Sequence, residues 1–311
     1  MQNKDFQEIF QLYFHNKYSY DDFMNIKIDE NIIKNNFNNH ITYSYKKDQY
    51  NLKNYHTFLN NIIFRKNKVH SCVYSYQENK NIFEMLKNHQ NDKYYFKTDI
   101  KNFFGSIDKS MIEKNIEFDF TNIPVEHILN IITVENKLAA GFVTSPSISN
   151  TVLYEFDVYI TDYCNKNSIT YSRYSDDLVF SSMNKLNKIE NIIQEKLSEL
   201  YENKFILNNN KSQYLDKTKR VKILGLVITP EHHITVPKKE KEDIKKLIYF
   251  YMNDKDKFKE FLERNYNNSI AKAYGKLNYI NDIDLSFTNY LRKKYGNFII
   301  DKFLHGDKRV G

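Results

Sequence analysis

The sequence predicts an α+β protein: a centre in which strands and helices alternate, then a helical, Lys-rich tail. Three observations carry this. The runs KYYFKTDI (93–100), YSRYSDDLVFSS (171–182) and VKILGLVIT (221–229) are rich in aromatic and β-branched residues, as strands are. Between them, apolar residues recur at helical spacing. From Lys238 onward only the helical period persists.

Residues 4–14 place Phe6, Ile9, Phe10 and Tyr13 on one helical face. Residues 30–70 are polar and fit neither period. KYYFKTDI reads as a buried strand closing on Asp99. DKSMIEKNIEF and VEHILNIITV read as short helices, the first capped by Asp108, whose side chain suits the unbonded N–H groups of a first turn. Residues 145–163 read as a longer helix, with Pro146 in its first turn and Ile148, Val152, Phe156, Ile160 and Tyr163 at helical spacing. YSRYSDDLVFSS reads as strand, tight turn, strand. An amphipathic helix follows, with Leu186, Ile189, Ile193, Leu197 and Leu200 inward. VKILGLVIT is a further strand, and HITV (233–236) is its candidate partner. In the tail, Ile244, Leu247, Ile248 and Tyr251 share one face, ringed by Lys238, Lys239, Lys241, Lys245 and Lys246.

With 311 residues and 41% hydrophobic content the chain can bury a sizeable core in one to three domains. Its 46 basic and 39 acidic residues leave a net charge of +7, which favours a polyanionic partner, ordinary solubility charge being the alternative. Cys72 and Cys164 support neither a disulfide framework nor a four-ligand zinc site, so both are expected to be reduced, in the cytoplasm. No basic flank precedes an apolar run at the N-terminus, so no signal peptide is expected. No stretch approaches the length of a membrane span.

The chemistry gathers around Asp99, at a strand end, and the pair Asp176 and Asp177, at a hairpin tip. Adjacent like charges cost free energy unless something positive sits beside them. If the two elements lie side by side, three carboxylates converge. Oxygen ligands of that kind suit Mg²⁺. Two such ions about 3.5–4 Å apart activate an attacking hydroxyl and stabilise a leaving pyrophosphate. For the Asp pair alone, an acidic turn in solvent is the alternative.

YFKTDIKNFFGSID, AAGFVTSPSISN, YSRYSDDLVFSS, LNNNKSQ and VKILGLVIT occur in this order. The succession resembles the palm motifs of reverse transcriptases, most closely the compact bacterial group that includes retron enzymes and their defence-associated relatives. The resemblance covers residues 63–295 and is most specific in 94–182. It implies a right-hand polymerase: fingers at 1–92, a palm with an antiparallel sheet and interleaved finger elements at 93–235, and a helical thumb at 236–311. The implied activity is RNA-directed DNA polymerisation from deoxynucleotides with two Mg²⁺ ions. Asp99 would bind both ions with help from the Ile100 carbonyl. Asp176 would bridge them, and Asp177 would complete the cluster.

Phe104, five residues after Asp99, matches the aromatic gate whose ring excludes a ribose 2′-OH. Core packing is the alternative, and Phe103 is the core member of that pair. Gly141, before a helix start, matches the glycine whose backbone approaches the nucleotide. Ala140 stands where the family usually has Gln, which puts the usual contact to nucleotide and template in question. Lys211 matches the lysine proposed to protonate the leaving pyrophosphate, a solvated loop lysine being the alternative. Lys46, Lys47, Lys53 and Arg65 are the candidates for gripping the triphosphate. Leu224 and Gly225 match the primer-grip hairpin, with Ile-Leu-Gly where retron enzymes usually show Val-Thr-Gly. MLKNH (85–89) keeps His89 but has Met85 where those enzymes carry Asn. His70 and His89 are candidates for RNA contact, or structural histidines. Lys238, Lys239, Lys241 and Lys245 are candidates for duplex backbone contact.

The resemblance further implies a dedicated structured noncoding RNA, its RNA–DNA product, and a toxin or effector protein in anti-phage defence. Two rivals stand beside it. A defence reverse transcriptase of another branch, making untemplated or repetitive DNA, is favoured by Ala140 and the altered motifs. A catalytically idle RNA-binding scaffold is opposed by the intact Asp triad.

Overall fold

The structure, a computed structural model, describes residues 4–37, 40–47 and 51–305. It has the α+β class expected from the sequence. The chain packs as two compact units, Met1–Asn81 with Tyr95–Tyr214, and Ile82–Tyr94 with Leu215–Gly311.

In the first unit the strands follow the order Thr170–Tyr174, Asp177–Ser182, then the strand that closes on Asp99. The first two are antiparallel, with Tyr171 opposite Phe180 and Tyr174 opposite Asp177. That register leaves Ser175 and Asp176 as a two-residue turn, with Ser175 at a left-handed φ of 59°. Leu178, Val179 and Phe180 are all buried, the mark of a strand covered on both faces. Ile148, Val152, Phe156, Ile160, Ile193 and Leu197 supply the covering core. The helix expected over 145–163 is two, Ser145–Val152 and Tyr154–Lys166, broken at the buried Leu153, where ψ is 6°. Asp108 caps its helix as expected, accepting from the Met111 N–H at 3.1 Å.

The polar stretch 30–70 resolves into an antiparallel hairpin, Ile32–Phe37 with His40–Tyr45, and the helix Asn51–Ile62. The hairpin escaped the strand period because exposure does not alternate along it: Ile33, Lys34, Asn35 and Asn36 are exposed in a row. The helix docks on Phe6–Phe14 and Tyr20–Asn25 through an aromatic cluster. Phe10 stands 5.1 Å from Phe23 and 5.4 Å from Phe58, ring to ring, and all three are fully buried. Each such ring contributes roughly 1.5–3 kcal/mol by burial.

The second unit contains the helix Ile82–His89, a three-stranded sheet, and five helices from Lys238–Asn253 to Asn297–His305. VKILGLVIT is not one strand but a hairpin. Ile223 faces Leu226 across a turn in which Leu224 and Gly225 lie at φ 48° and 86°. Positive φ at both turn residues is what a tight two-residue hairpin requires. HITV pairs with it as expected, Val227 opposite Thr235. Ile244, Leu247 and Ile248 face the core of this unit. Cys72 and Cys164 are free and buried. Among the described residues no helix is long and apolar enough to cross a membrane.

Candidate active site

Asp99 ends its strand beside the hairpin tip. The Ile100 N–H donates to the Asp176 carbonyl at 3.1 Å, so the main chain itself brings the two aspartates to adjacent positions. Asp177 opens the return strand. On the far side, the Asp99 carbonyl accepts from Asn208 N–H at 2.9 Å, which docks the Asn208–Ser212 turn. That turn delivers Lys211, whose Nζ donates to Asp99 Oδ2 at 2.7 Å.

The electrostatics record the crowding. Burial, then the charges of Asp176 and Asp99, push the Asp177 carboxyl up to about 6. Burial, with Asp99 adding repulsion, also raises Asp176. The bond to Asp99 raises Lys211. Asp99 is 4% exposed, and its Oδ1 is buried with no hydrogen-bond partner among the described residues. An ionised oxygen left without a donor is costly unless a cation takes that place. Hard carboxylate oxygens suit a divalent ion. The described residues do not close a cage of three such ligands as folded. The Lys211 ammonium supplies the positive charge against Asp99.

A buried network that sequence reasoning missed holds the tip. Arg173 is fully buried, and its guanidinium grips both oxygens of Asp157, the closest contact being 2.6 Å. It also donates to the Asn150 side chain at 3.1 Å and to the Ser175 carbonyl at 3.0 Å. Burial opposes its charge, but the Asp157 carboxylate overrides this and keeps the guanidinium more basic than usual. Tyr171 donates to Asp157 at 2.9 Å. The Ser175 N–H donates to Ser75 Oγ at 2.8 Å, and Asn150 Nδ2 to the Ser75 carbonyl at 2.9 Å. Both peptide groups of Ser175 are thus fixed from below. The available signal was charge out of place: an Arg inside a strand of Tyr and Ser, and an Asp beside Phe156 on a core-facing helix.

Phe103 is buried, as expected, and packs 5.8 Å from Phe205. Phe104 is half-buried against the same core. At Gly141 the structure gives a packing reason for the glycine. Its φ is 106°, and a Cβ there would lie 2.1 Å from the Tyr43 carbonyl oxygen. The missing side chain makes room for the strand His40–Tyr45. Ala140 joins the same contact, its carbonyl accepting from Tyr43 N–H at 2.8 Å. The loop is further held by a relay whose polarity follows from its ends. The Val143 N–H donates to Tyr45 Oη at 2.9 Å, and Tyr45 pairs with His56 Nδ1 at 2.8 Å. His56 Nε2 meets the Ile131 carbonyl at 2.7 Å and must donate there. With the ring kept neutral by burial, Nδ1 accepts from the Tyr45 hydroxyl. Burial lowers His56 to about 4.

Among the cations expected at the triphosphate, Lys46 is committed to the Glu30 carbonyl at 2.7 Å, while Lys47, Lys53 and Arg65 are exposed. His70 is half-buried and accepts from Cys72 N–H at 3.3 Å. His89 is fully buried, and burial lowers it to about 3; a neutral ring inside the packing does not present itself to RNA, which corrects that expectation. Leu224 and Gly225 form the turn described above. Lys241 bonds Asp284 at 2.6 Å and lies over the Phe287 ring, while Lys245 bonds Glu242 at 3.0 Å and lies over Tyr290. Both are turned inward within their unit, whereas Lys238 and Lys239 are exposed.

Residues 24–228 match the family model described as reverse transcriptase (RNA-dependent DNA polymerase). The chain is 29% identical to the retron Ec83 reverse transcriptase of Escherichia coli over 255 residues, 77% of this chain and 78% of that one. It is 28% identical to the retron Ec73 reverse transcriptase of the same organism, over 76% and 78% of the two chains. Among solved structures it resembles telomerase from Candida albicans with a fragment of telomeric RNA, at TM-score 0.42 and 12% identity over 82% of this chain. It spans about half the length of that telomerase, 50%. The matched segment contains the whole Asp99–Asp176–Asp177 constellation and covers well over half of the chain. The chain therefore belongs to the reverse transcriptase family, with its right-hand polymerase fold.

Proposed function

We propose that this chain is a retron-type RNA-directed DNA polymerase that copies a structured noncoding RNA into DNA in the cytoplasm. The observation that supports it most is the Ile100–Asp176 main-chain bond, which sets Asp176 beside the buried Asp99 carboxylate and its unpartnered Oδ1. Asp99, the Ile100 carbonyl, Asp176 and Asp177 would hold two Mg²⁺ ions. When bound, these would lower the pKa of the primer hydroxyl and stabilise the leaving pyrophosphate. The chain's own residues do the rest. Lys211, already charged against Asp99, is in reach to turn its proton toward the departing phosphate. The Phe104 ring limits space at the sugar. Lys47, Lys53 and Arg65 are available to the triphosphate. Lys238 and Lys239 meet duplex phosphates, and the Leu224–Gly225 turn and His70 meet nucleic acid. Fingers, palm and thumb correspond to 1–92, 93–235 and 236–311, and an effector protein completes a defence system.

The test is nucleotide incorporation on an RNA template. Asp99→Asn, Asp176→Asn and Asp177→Asn should each abolish it while leaving folding and RNA binding intact. Retained synthesis in Asp176→Asn rejects the proposal. The copurifying nucleic acid, sequenced before and after RNase, should be one abundant RNA joined to a short DNA. Long repetitive DNA without a template RNA would assign the chain to an untemplated branch, the reading Ala140 favours.

A further inference from the structure

The segment 72–76 is a strap laid along the free edge of the strand that leads into the catalytic turn. Arg173 N–H donates to the Cys72 carbonyl at 2.9 Å, and Tyr74 N–H to the Arg173 carbonyl at 2.9 Å. The bridge between Val73 and Arg173 is parallel. Lys80 closes the strap behind it. Its Nζ donates to the carbonyls of Ser71 at 2.7 Å and Val73 at 2.9 Å and lies 4.9 Å from the Tyr74 ring.

The strap ends in two residues that face opposite ways. Ser75 is fully buried, beneath the turn. Tyr76 is 50% exposed, its hydroxyl 3.5 Å from the Ser175 hydroxyl, one residue before Asp176. Its φ is 57°. A bulky residue in the left-handed region is strained, typically by about 1–3 kcal/mol, and persists only where the surroundings impose it. Here the strap is fastened on both sides of the strain, and the result is a large, half-exposed ring held beside the turn that carries Asp176.

On the polymerase reading above, we infer that Tyr76 is a binding residue for the nucleic acid strand at the growing end: its ring is the platform on which the terminal base pair of the primer–template stacks. Aromatic rings stack on any base, so the contact is blind to sequence. A ring on a fastened strap is also pre-organised, so little entropy is lost on binding.

The experiment uses the full chain and a labelled RNA–DNA hybrid with a dideoxy 3′ end, binding being read by anisotropy. Tyr76→Asn tolerates the left-handed backbone and removes the ring, so the fold should survive. It should weaken hybrid binding about five- to 150-fold, the range for loss of one base–aromatic stack. The salt slope should not change, because no phosphate contact is lost. Tyr76→Phe keeps the ring and should bind as the parent does. In extension assays the hybrid concentration giving half-maximal rate should rise by the same factor in Tyr76→Asn, with the deoxynucleotide KM read alongside. Unchanged affinity in Tyr76→Asn overturns the inference. So does equal loss in Tyr76→Phe, which would make the hydroxyl's hold on Ser175 the role. A raised deoxynucleotide KM instead would give the ring to the incoming base. If the parent chain incorporates no nucleotide at all, it is the polymerase proposal that fails.

Discussion

Arg173→Met should destabilise the protein by about 3–5 kcal/mol, the cost of leaving a buried charge without its partner. The guanidinium makes six hydrogen bonds, three to Asp157, two to Asn150 and one to Ser175. Its removal strands the Asp157 carboxylate, whose side chain is 0% exposed, with the Tyr171 hydroxyl as the donor still in place. Domains of ordinary stability have about 5–15 kcal/mol in total, so the loss is a large part of it. Urea unfolding measures it, as a lower midpoint at constant slope. The double variant Arg173→Met with Asp157→Leu removes the stranded charge and should recover most of the stability. It should not recover nucleotide incorporation, because the Ser175 carbonyl still lacks its donor and the turn before Asp176 is loose. A single variant within about 1 kcal/mol of the parent, or a double no more stable than the single, would refute this account.

Phe104→Ala should admit ribonucleotides in a competition assay, and unchanged selectivity would make Phe104 a packing residue. Neutralising Lys238 and Lys239 should flatten the salt dependence of duplex binding by up to about one log–log unit per lost contact. Neutralising Lys241 should instead lower the melting temperature, since its ammonium holds Asp284. His56 is neutral in the fold, lowered by burial to about 4 from an ordinary value near 6.5. Below pH 6.5 the unfolded chain takes up a proton that the folded chain refuses. Stability should therefore be full above pH 6.5 and fall as pH drops toward 4. His56→Gln should flatten that part of a melting-temperature profile; an unchanged slope would mean that other groups carry it.

The three aspartates and the elements bearing them were legible because strand composition and a doubled charge at a turn are local signals. Asp108 as a cap was legible for the same reason. Gly141 was not, because the Tyr43 carbonyl that forbids a side chain there comes from a hairpin 98 positions earlier, masked by Asn, Lys and Thr. The split at Leu153 was hidden because the apolar spacing runs on through it. Composition alone read VKILGLVIT as one strand because Leu224 is an unfavoured residue at positive φ, whereas the likeness to a primer-grip hairpin had marked Leu224 and Gly225. Lys241 and Lys245 looked like solvent-facing cations because their partners on the neighbouring helix, Phe287 and Tyr290, are distant in sequence.

The strap has a consequence for how the protein is made. Ser75 and Ser175, bonded to each other, are 100 positions apart. Contacts of such long range close late in folding, because the intervening chain must first lose its freedom. A chain synthesised from its N-terminus presents the strap before the strand it covers exists, so the strap must wait unpaired. Once it docks, it seals an edge strand that would otherwise remain open to pairing with another chain. The catalytic turn thus acquires its fixed shape only when the fold around it is complete, and a partly folded chain carries the three carboxylates without the geometry to use them.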